Sequence, residues 1–220
     1  MINILDCTLR DGGYYTSWDF DTQLVEDYLA AMELLPVEFV ELGYRSTPQK
    51  QYEGEYCYLP LSTLKRCKAL CPSKKLAIMI NLKDVDENSV VLLLGPCVGY
   101  VDLVRLAVRP DNLAQAAKIA NVIKSMGFLV AINIMYMSTW KSQDGFYDSL
   151  HQLEGTVDYV WMVDSYGAVQ PNDMKIIIEK KNRKLTLTEQ GTVLFACSVA
   201  MGFAPVGSKE KEGDGKTPEG

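Results

Sequence analysis

The chain has 220 residues, 48% of them hydrophobic, and a net charge of −6 with a single histidine. That length and apolar content suit one substantial core or two small domains and exclude disorder by composition. The acidic balance lacks any basic block, which excludes nucleic acid and anionic membrane as expected partners, since both recruit clustered Lys and Arg.

A small diffusible substrate is expected instead. No apolar run approaches the roughly 20 residues of a membrane span, and strand-like sequence starts at once without a leader pattern, so a cytoplasmic protein is expected. The cysteines (Cys7, Cys57, Cys67, Cys71, Cys97, Cys197) show no disulfide or CxxC pattern, which makes free buried thiols the default. Cys67 and Cys71 are four apart on an expected helix, but no second pair accompanies them to complete a metal site.

Ile2-Asn3-Ile4-Leu5 reads as a short buried strand, and Gly12-Gly13 as its end, where positive φ and a close backbone approach are allowed. Arg10 and Asp11 are thereby expected at the C-terminal mouth of strand one, either as a surface ion pair of small value or as site chemistry. Leu24, Val25, Tyr28, Leu29, Met32 and Leu35 recur at helical spacing over 19–35, with Asp19 or Asp21 as N-cap and Pro36 as the stop. Phe39–Tyr44 is the second strand. Glu41 inside it is costly if buried alone, so it either ends the strand in solvent or joins Arg10, and the second is favoured.

Residues 45–60, with Arg45, Tyr52, Tyr56 and Tyr58, read as a long loop, and 60–70 as a helix. Residues 76–81 form a third strand ending in Asn81, and 85–94 a short helix. Residues 100–108 form a fourth strand with Arg105 inside it. A helix over 113–126 is capped by Gly127. Residues 128–137 make a fifth strand containing Asn133, 145–153 a helix carrying His151, and 157–167 a sixth strand ending in Asp164-Ser165-Tyr166-Gly167.

Strands that are apolar on both faces and alternate with helices imply a parallel sheet under helical cover. The recurrence of polar residues at strand C-termini (Arg10, Asp11, Glu41, Asn81, Arg105, Asn133, Asp164, Ser165) selects an α/β fold built as a TIM (β/α) barrel, incomplete at about six strands. It is followed by a short β-rich segment.

A first strand ending in Thr8-Leu9-Arg10-Asp11-Gly12-Gly13 resembles the metal-dependent lyase and aldolase superfamily that includes 4-hydroxy-2-oxovalerate aldolase, HMG-CoA lyase and isopropylmalate synthase. The stretches VELGYRS, VRLAV and VDSYG look like its second, fourth and sixth strands, so the resemblance covers about residues 2–174. It implies a carbon–carbon lyase acting on a 2-oxo acid such as pyruvate, with a divalent cation (Mn2+ or Mg2+) held by Asp11 and an enolate oxygen stabilised by Arg10. Glu41 and Arg105 are further catalytic candidates; Tyr15, Asn81, Asn133 and Ser165 are candidates for substrate binding. A homo-oligomer is the expected assembly.

The sequence also departs from that family. Strand seven there supplies a His-x-His pair to the metal, whereas His151 reads as a surface residue. Tyr15 stands where some of these aldolases place a catalytic His. From Lys175 the pattern changes: 176–179, 184–187 and 193–200 read as short strands joined by turns. With RKLTL and PVGSKEKEGDGKTPEG, residues 175–220 resemble the opening of an L,D-transpeptidase domain, whose Cys and His motif would lie beyond Gly220. Cys197 reads as a core thiol. The expected domains are therefore 1–174 and 175–220; without the His-x-His pair weak or absent lyase activity is expected, and the alternatives are an inactive transpeptidase fragment or a non-catalytic product.

Overall fold

The computed structural model describes residues 3–48, 50–169, 175–179, 182, 184–189 and 191–198. The chain divides into two compact units, Asn3–Ser165 and a second beginning at Tyr166.

In the first unit six parallel strands pair in sequence order: β1 Leu5–Asp6, β2 Phe39–Tyr44, β3 Lys75–Asn81, β4 Leu103–Val108, β5 Leu129–Ile134 and β6 Tyr159–Met162. The sheet curls into a half-barrel, with β1 and β6 as its edges. Every residue of β2 is buried, as is all of β4 except Ala107, which is half-buried. This is why these segments read as continuous apolar runs instead of alternating ones.

The connecting helices are α1 Thr8–Thr16, α2 Thr22–Leu34, α3 Glu55–Tyr58, α4 Leu61–Leu70, α5 Glu87–Leu94, α6 Leu113–Ser125 and α7 Phe146–His151. Asp21 caps α2 by accepting from the Leu24 amide at 3.0 Å. Leu113, Ala116, Ile119, Ala120 and Ile123 form the buried stripe of α6 at helical spacing. At the lower rim one device recurs. Asp102, just before β4, accepts from the Leu76 amide at 2.9 Å, and Asp158, just before β6, accepts from the Val130 amide at 2.8 Å. Each satisfies a strand-start donor in its neighbour.

Three expectations change. The stretch from Thr8 to Thr16 is a helix, not the end of a strand, and β1 is only Leu5–Asp6. Gly12 and Gly13 lie inside that helix without positive φ. The close approach expected of them holds for Gly13, where a Cβ would fall 2.0 Å from Trp18 Cδ1. Residues 45–60 are not all loop, since α3 forms within them. Strands four to six are shorter than the apolar runs suggest: Tyr136 is left-handed (φ 60°) and opens a 3-10 turn, ending β5 early.

Asp6 ties β1 to α1 and α2, accepting from the Thr8 amide (3.0 Å) and from the Tyr28 hydroxyl. Burial works against its charge, but those two donors more than offset it and hold the carboxyl below its usual range. A carboxylate with a depressed folded pKa contributes stability above its unfolded pKa and loses it as pH falls through the folded one. Tyr28→Phe is therefore expected to cost about 1–2 kcal/mol near neutrality and less in acid. Urea denaturation at both pH values checks this; an equal loss at both would show that Tyr28 acts by packing alone.

In the second unit β7 Lys175–Glu179, β8 Lys184–Glu189 and β9 Thr192–Ser198 form an antiparallel sheet in the order β7-β8-β9, in keeping with the strand pattern. Cys197 falls in β9, but its side chain, like residues 199–220 with the transpeptidase-like motif, lies outside the described residues. Cys67 and Cys71 are fully buried free thiols, and His151 is exposed on α7.

Candidate active site

Because side chains alternate along a strand, residues two apart share a face. Phe39, Ala77, Leu103 and Ala131 pack together as an apolar floor inside the half-barrel, with Leu5, Leu129, Tyr159 and Trp161 against them. Two residues beyond Phe39, Leu103 and Ala131 come Glu41, Arg105 and Asn133. A polar layer thus sits directly on the floor toward the strands' C-terminal ends, and α1 adds Arg10 to it.

The four side chains form one network. Glu41 is wholly buried, and its Oε2 accepts from Arg10 Nε at 2.9 Å and Arg105 Nη1 at 2.6 Å. Arg105, only 4% exposed, donates through Nη2 to Asn133 Oδ1 at 2.6 Å, and its guanidinium lies 4.7 Å from the centre of the Trp161 ring. Such stacking excludes water and strengthens the charges it covers. Two guanidinium charges meet one buried carboxylate, and the second countercharge, Asp11, pairs with Arg10 from the exposed side. Glu41 Oε1 and Arg105 Nε are buried without a hydrogen-bond partner among the described residues; a free acceptor and a free donor so deep are the mark of a site built for another molecule or for water.

Arg10 is the member that reaches the opening. Burial alone would favour its neutral form, but the charge and hydrogen bond of Glu41 dominate and hold the guanidinium above its ordinary range. It also lies beside the Tyr44 hydroxyl, which is 2.8 Å from the Tyr14 hydroxyl. Trp18 packs edge-on against both rings and donates to the Arg10 carbonyl at 3.0 Å. That indole occupies the space a side chain at Gly13 would need, so Gly13 fixes where Arg10 stands.

Asp11, the expected metal ligand, stands beside Arg10 at the exposed side of the network. Its Oδ1 is 2.5 Å from Arg10 Nη1, its Oδ2 accepts from the Cys7 thiol at 3.2 Å, and the side chain is 57% exposed. Burial and this carboxylate push the Cys7 thiol up to about 11. Among the described residues no three His, Cys, Asp or Glu side chains come together to hold a metal ion. The donors present therefore do not fit the divalent cation that the resemblance implies.

The structure brings Arg10, Asp11, Glu41, Arg105 and Asn133 together as the strand-end pattern requires. It leaves Tyr15 94% exposed, Asn81 half-buried at the end of β3, and Ser165 exposed with its Oγ accepting from the Tyr136 amide at 3.0 Å. Sequence reasoning misses Trp161. The signal for it is the two-residue alternation with Tyr159, and it is the register partner of Asn133.

No protein-family model matches the chain, and no curated protein matches it. Solved structures do. One is the "N-terminal domain of a putative aldolase" from Bacteroides vulgatus, with 45% identity and a TM-score of 0.75, covering 77% of this chain and 56% of that one. Another is the carboxyl transferase domain of Rhizobium etli pyruvate carboxylase, solved with pyruvate and biocytin. It has 14% identity and a TM-score of 0.59, covering 77% of this chain and 32% of that one. The Y628A form of that domain, with pyruvate, gives 15% and 0.54 with the same coverages.

At such identities the likeness to the carboxyl transferase domain is one of fold alone. The six-stranded unit thus has an aldolase-like, TIM-barrel-like fold, and the chain spans little more than half the length of the aldolase-type structure it matches. None of these structures is a transpeptidase, so the transpeptidase alternative gains no support. No helix among the described residues is long and apolar enough to cross a membrane.

Proposed function

We propose that the chain carries the enolate-stabilising site of an aldolase-type carbon–carbon lyase whose substrate is a 2-oxo acid. The observation that supports this best is the buried Arg10-Glu41-Arg105 group, in which a single buried carboxylate fixes two guanidiniums and leaves Arg105 Nε and Glu41 Oε1 without partners among the described residues. A 2-oxo acid brings a carboxylate, and its enolate develops a second negative oxygen. Preorganised donors in a low-dielectric site stabilise that charge most where they need not reorganise. Arg10 presents charge to the substrate, Arg105 polarises the carbonyl, and Glu41 and Asn133 hold the guanidiniums in place. Asn81 and Ser165, near the C-terminal ends of β3 and β6, supply polar groups to the pocket wall. The steps assigned here use the chain's own donors, with Asp11 held by Arg10 and Cys7.

Exchange of the pyruvate methyl protons in D2O, followed by proton NMR with EDTA present, tests the reading. The expected result is exchange above the buffer rate, water taking the methyl proton while the guanidiniums stabilise the enolate. Arg105→Lys is expected to lower it about 100-fold, since lysine offers no planar fork. Exchange at the buffer rate by a folded chain would overturn it. In the same preparation, calorimetry with Mn2+ is expected to show no micromolar site and no change on Asp11→Ala. A micromolar site lost in that variant would restore the metal to the mechanism.

A further inference from the structure

A second charged site lies in the segment between β2 and α4. Arg45 follows β2 directly and lines an open cleft of about 470 Å³ together with Ser46, Pro48, Tyr52, Tyr58 and Leu93, a volume within the range of small-ligand sites. None of these residues belongs to the Arg10 network. Arg45 is half-buried and built in: Nε donates to the Leu93 carbonyl at 3.0 Å, and Nη1 to the carbonyls of Tyr58 (2.7 Å) and Leu59 (3.0 Å).

Those partners are neutral. So is the buried Cys97 thiol beside the guanidinium, whose pKa burial raises more than Arg45 lowers it. They satisfy donors but leave the charge uncompensated. Arg10 and Arg105 share Glu41, Arg66 is 3.1 Å from Glu55 and Arg109 is 3.3 Å from Asp111. Among the described arginines only Arg45 has no carboxylate of a described residue within 4.0 Å, and the further side-chain partner of its guanidinium is the neutral Cys97 thiol. In a chain of net charge −6, a fixed and unneutralised guanidinium is not general surface charge. It costs free energy that an anion arriving at the guanidinium would return.

The rest of the cleft sets the shape of that anion. The Tyr52 and Tyr58 rings lie 5.9 Å apart at 31°, and Tyr52 is 77% exposed, offering an unpartnered face. Pro48 and Leu93 add apolar wall. Tyr58 is already engaged, its hydroxyl accepting from the Glu53 amide and donating to the Gln51 carbonyl. With one arginine and no lysine among the residues that line it, the cleft suits a monoanion better than a phosphate dianion, and the tyrosine face suits a flat ring. We infer that the Arg45 cleft binds a small aromatic carboxylate, with its carboxylate on Arg45 and its ring against Tyr52. This site is separate from the enolate-stabilising one and does not rest on it.

Titration of the isotope-labelled full chain with benzoate, read by amide NMR shifts, tests the inference, with benzamide as the uncharged analogue and phenyl phosphate as the dianion. Benzoate is expected to produce saturable shifts around Ser46, Tyr52 and Tyr58 at low millimolar concentration, and benzamide and phenyl phosphate to bind more weakly. Tyr52→Ala, at an exposed position, is expected to weaken benzoate roughly fivefold, and Arg45→Gln to abolish it. Arg10→Gln is expected to leave these shifts unchanged, which separates the cleft from the pyruvate site. Equal binding of benzoate and benzamide, unchanged affinity in Tyr52→Ala, or no saturable shifts from the folded wild-type chain would each overturn the assignment. Tighter binding of phenyl phosphate would overturn the choice of a monoanion.

Discussion

Replacing Glu41 by Gln is expected to cost about 3–5 kcal/mol of stability, although the new side chain has nearly the same shape. The substitution removes the sole buried anion between Arg10 and Arg105, whose nearest nitrogens lie 2.9 and 2.6 Å from its Oε2. What remains is two guanidiniums in a space where Arg105 is 4% exposed, repelling one another with little water to screen them. Removing one partner of a buried ion group is expensive because the survivors stay buried, not because the intact group adds much over an apolar core. Adding Arg105→Met to Glu41→Gln should therefore recover part of the loss. Urea denaturation of the three proteins checks this. A loss below about 1 kcal/mol for Glu41→Gln would mean that solvent reaches the cluster and that its guanidiniums are not held in place by Glu41.

How much of this site the sequence discloses depends on where each residue sits. Glu41, Arg105 and Asn133 are polar residues inside otherwise apolar strands, and a buried polar group must find partners. Their convergence follows from that requirement and from the strand order, without any knowledge of individual contacts. The parallel six-strand arrangement follows from the same strand-helix alternation. Arg10 belongs to the cluster as its motif suggests, but it stands on a helix and not at a strand end. Gly12-Gly13 reads as a break by local propensity, whereas the helix over Thr8–Thr16 stands because Trp18 returns to cover Gly13 and bond the Arg10 carbonyl. Such a contact between helix and following loop leaves no local pattern.

Trp161 and Arg45 are hidden in the sequence for related reasons. The value of Trp161 depends on register across β5 and β6. That of Arg45 depends on which residues are absent around it, and an absence of carboxylates in space cannot be seen along a chain. Asp11 is a different case. Its motif resembles that of a metal ligand, while its partners among the described residues are Arg10 and Cys7.

Gly43→Ala is expected to destabilise the first unit by roughly 3 kcal/mol, at the upper end of what overpacking costs. Gly43 lies in β2 two residues after Glu41, and a Cβ there would stand 2.0 Å from the Tyr56 carbonyl oxygen and 3.0 Å from its carbon. Backbone cannot turn aside as a side chain can. Tyr56 is pinned as well: its amide donates to the Trp18 carbonyl at 3.0 Å, its ring packs 5.4 Å from that of Phe20, and the residue is 1% exposed. The cheapest response is for α3 to lift away from β2, carrying with it the Tyr58 and Leu59 carbonyls that hold Arg45. Cys57, 6% exposed in α3, reports that movement. Its labelling by a thiol reagent should rise in Gly43→Ala relative to wild type. Gly95→Ala is the matched control, because nothing lies within 4 Å of its Cβ position and its φ is −48°. There the lost freedom of the unfolded chain should stabilise by about 0.4–1 kcal/mol. If both variants shift stability alike and Cys57 stays protected, the close approach of α3 to β2 is not what fixes the loop that carries Arg45.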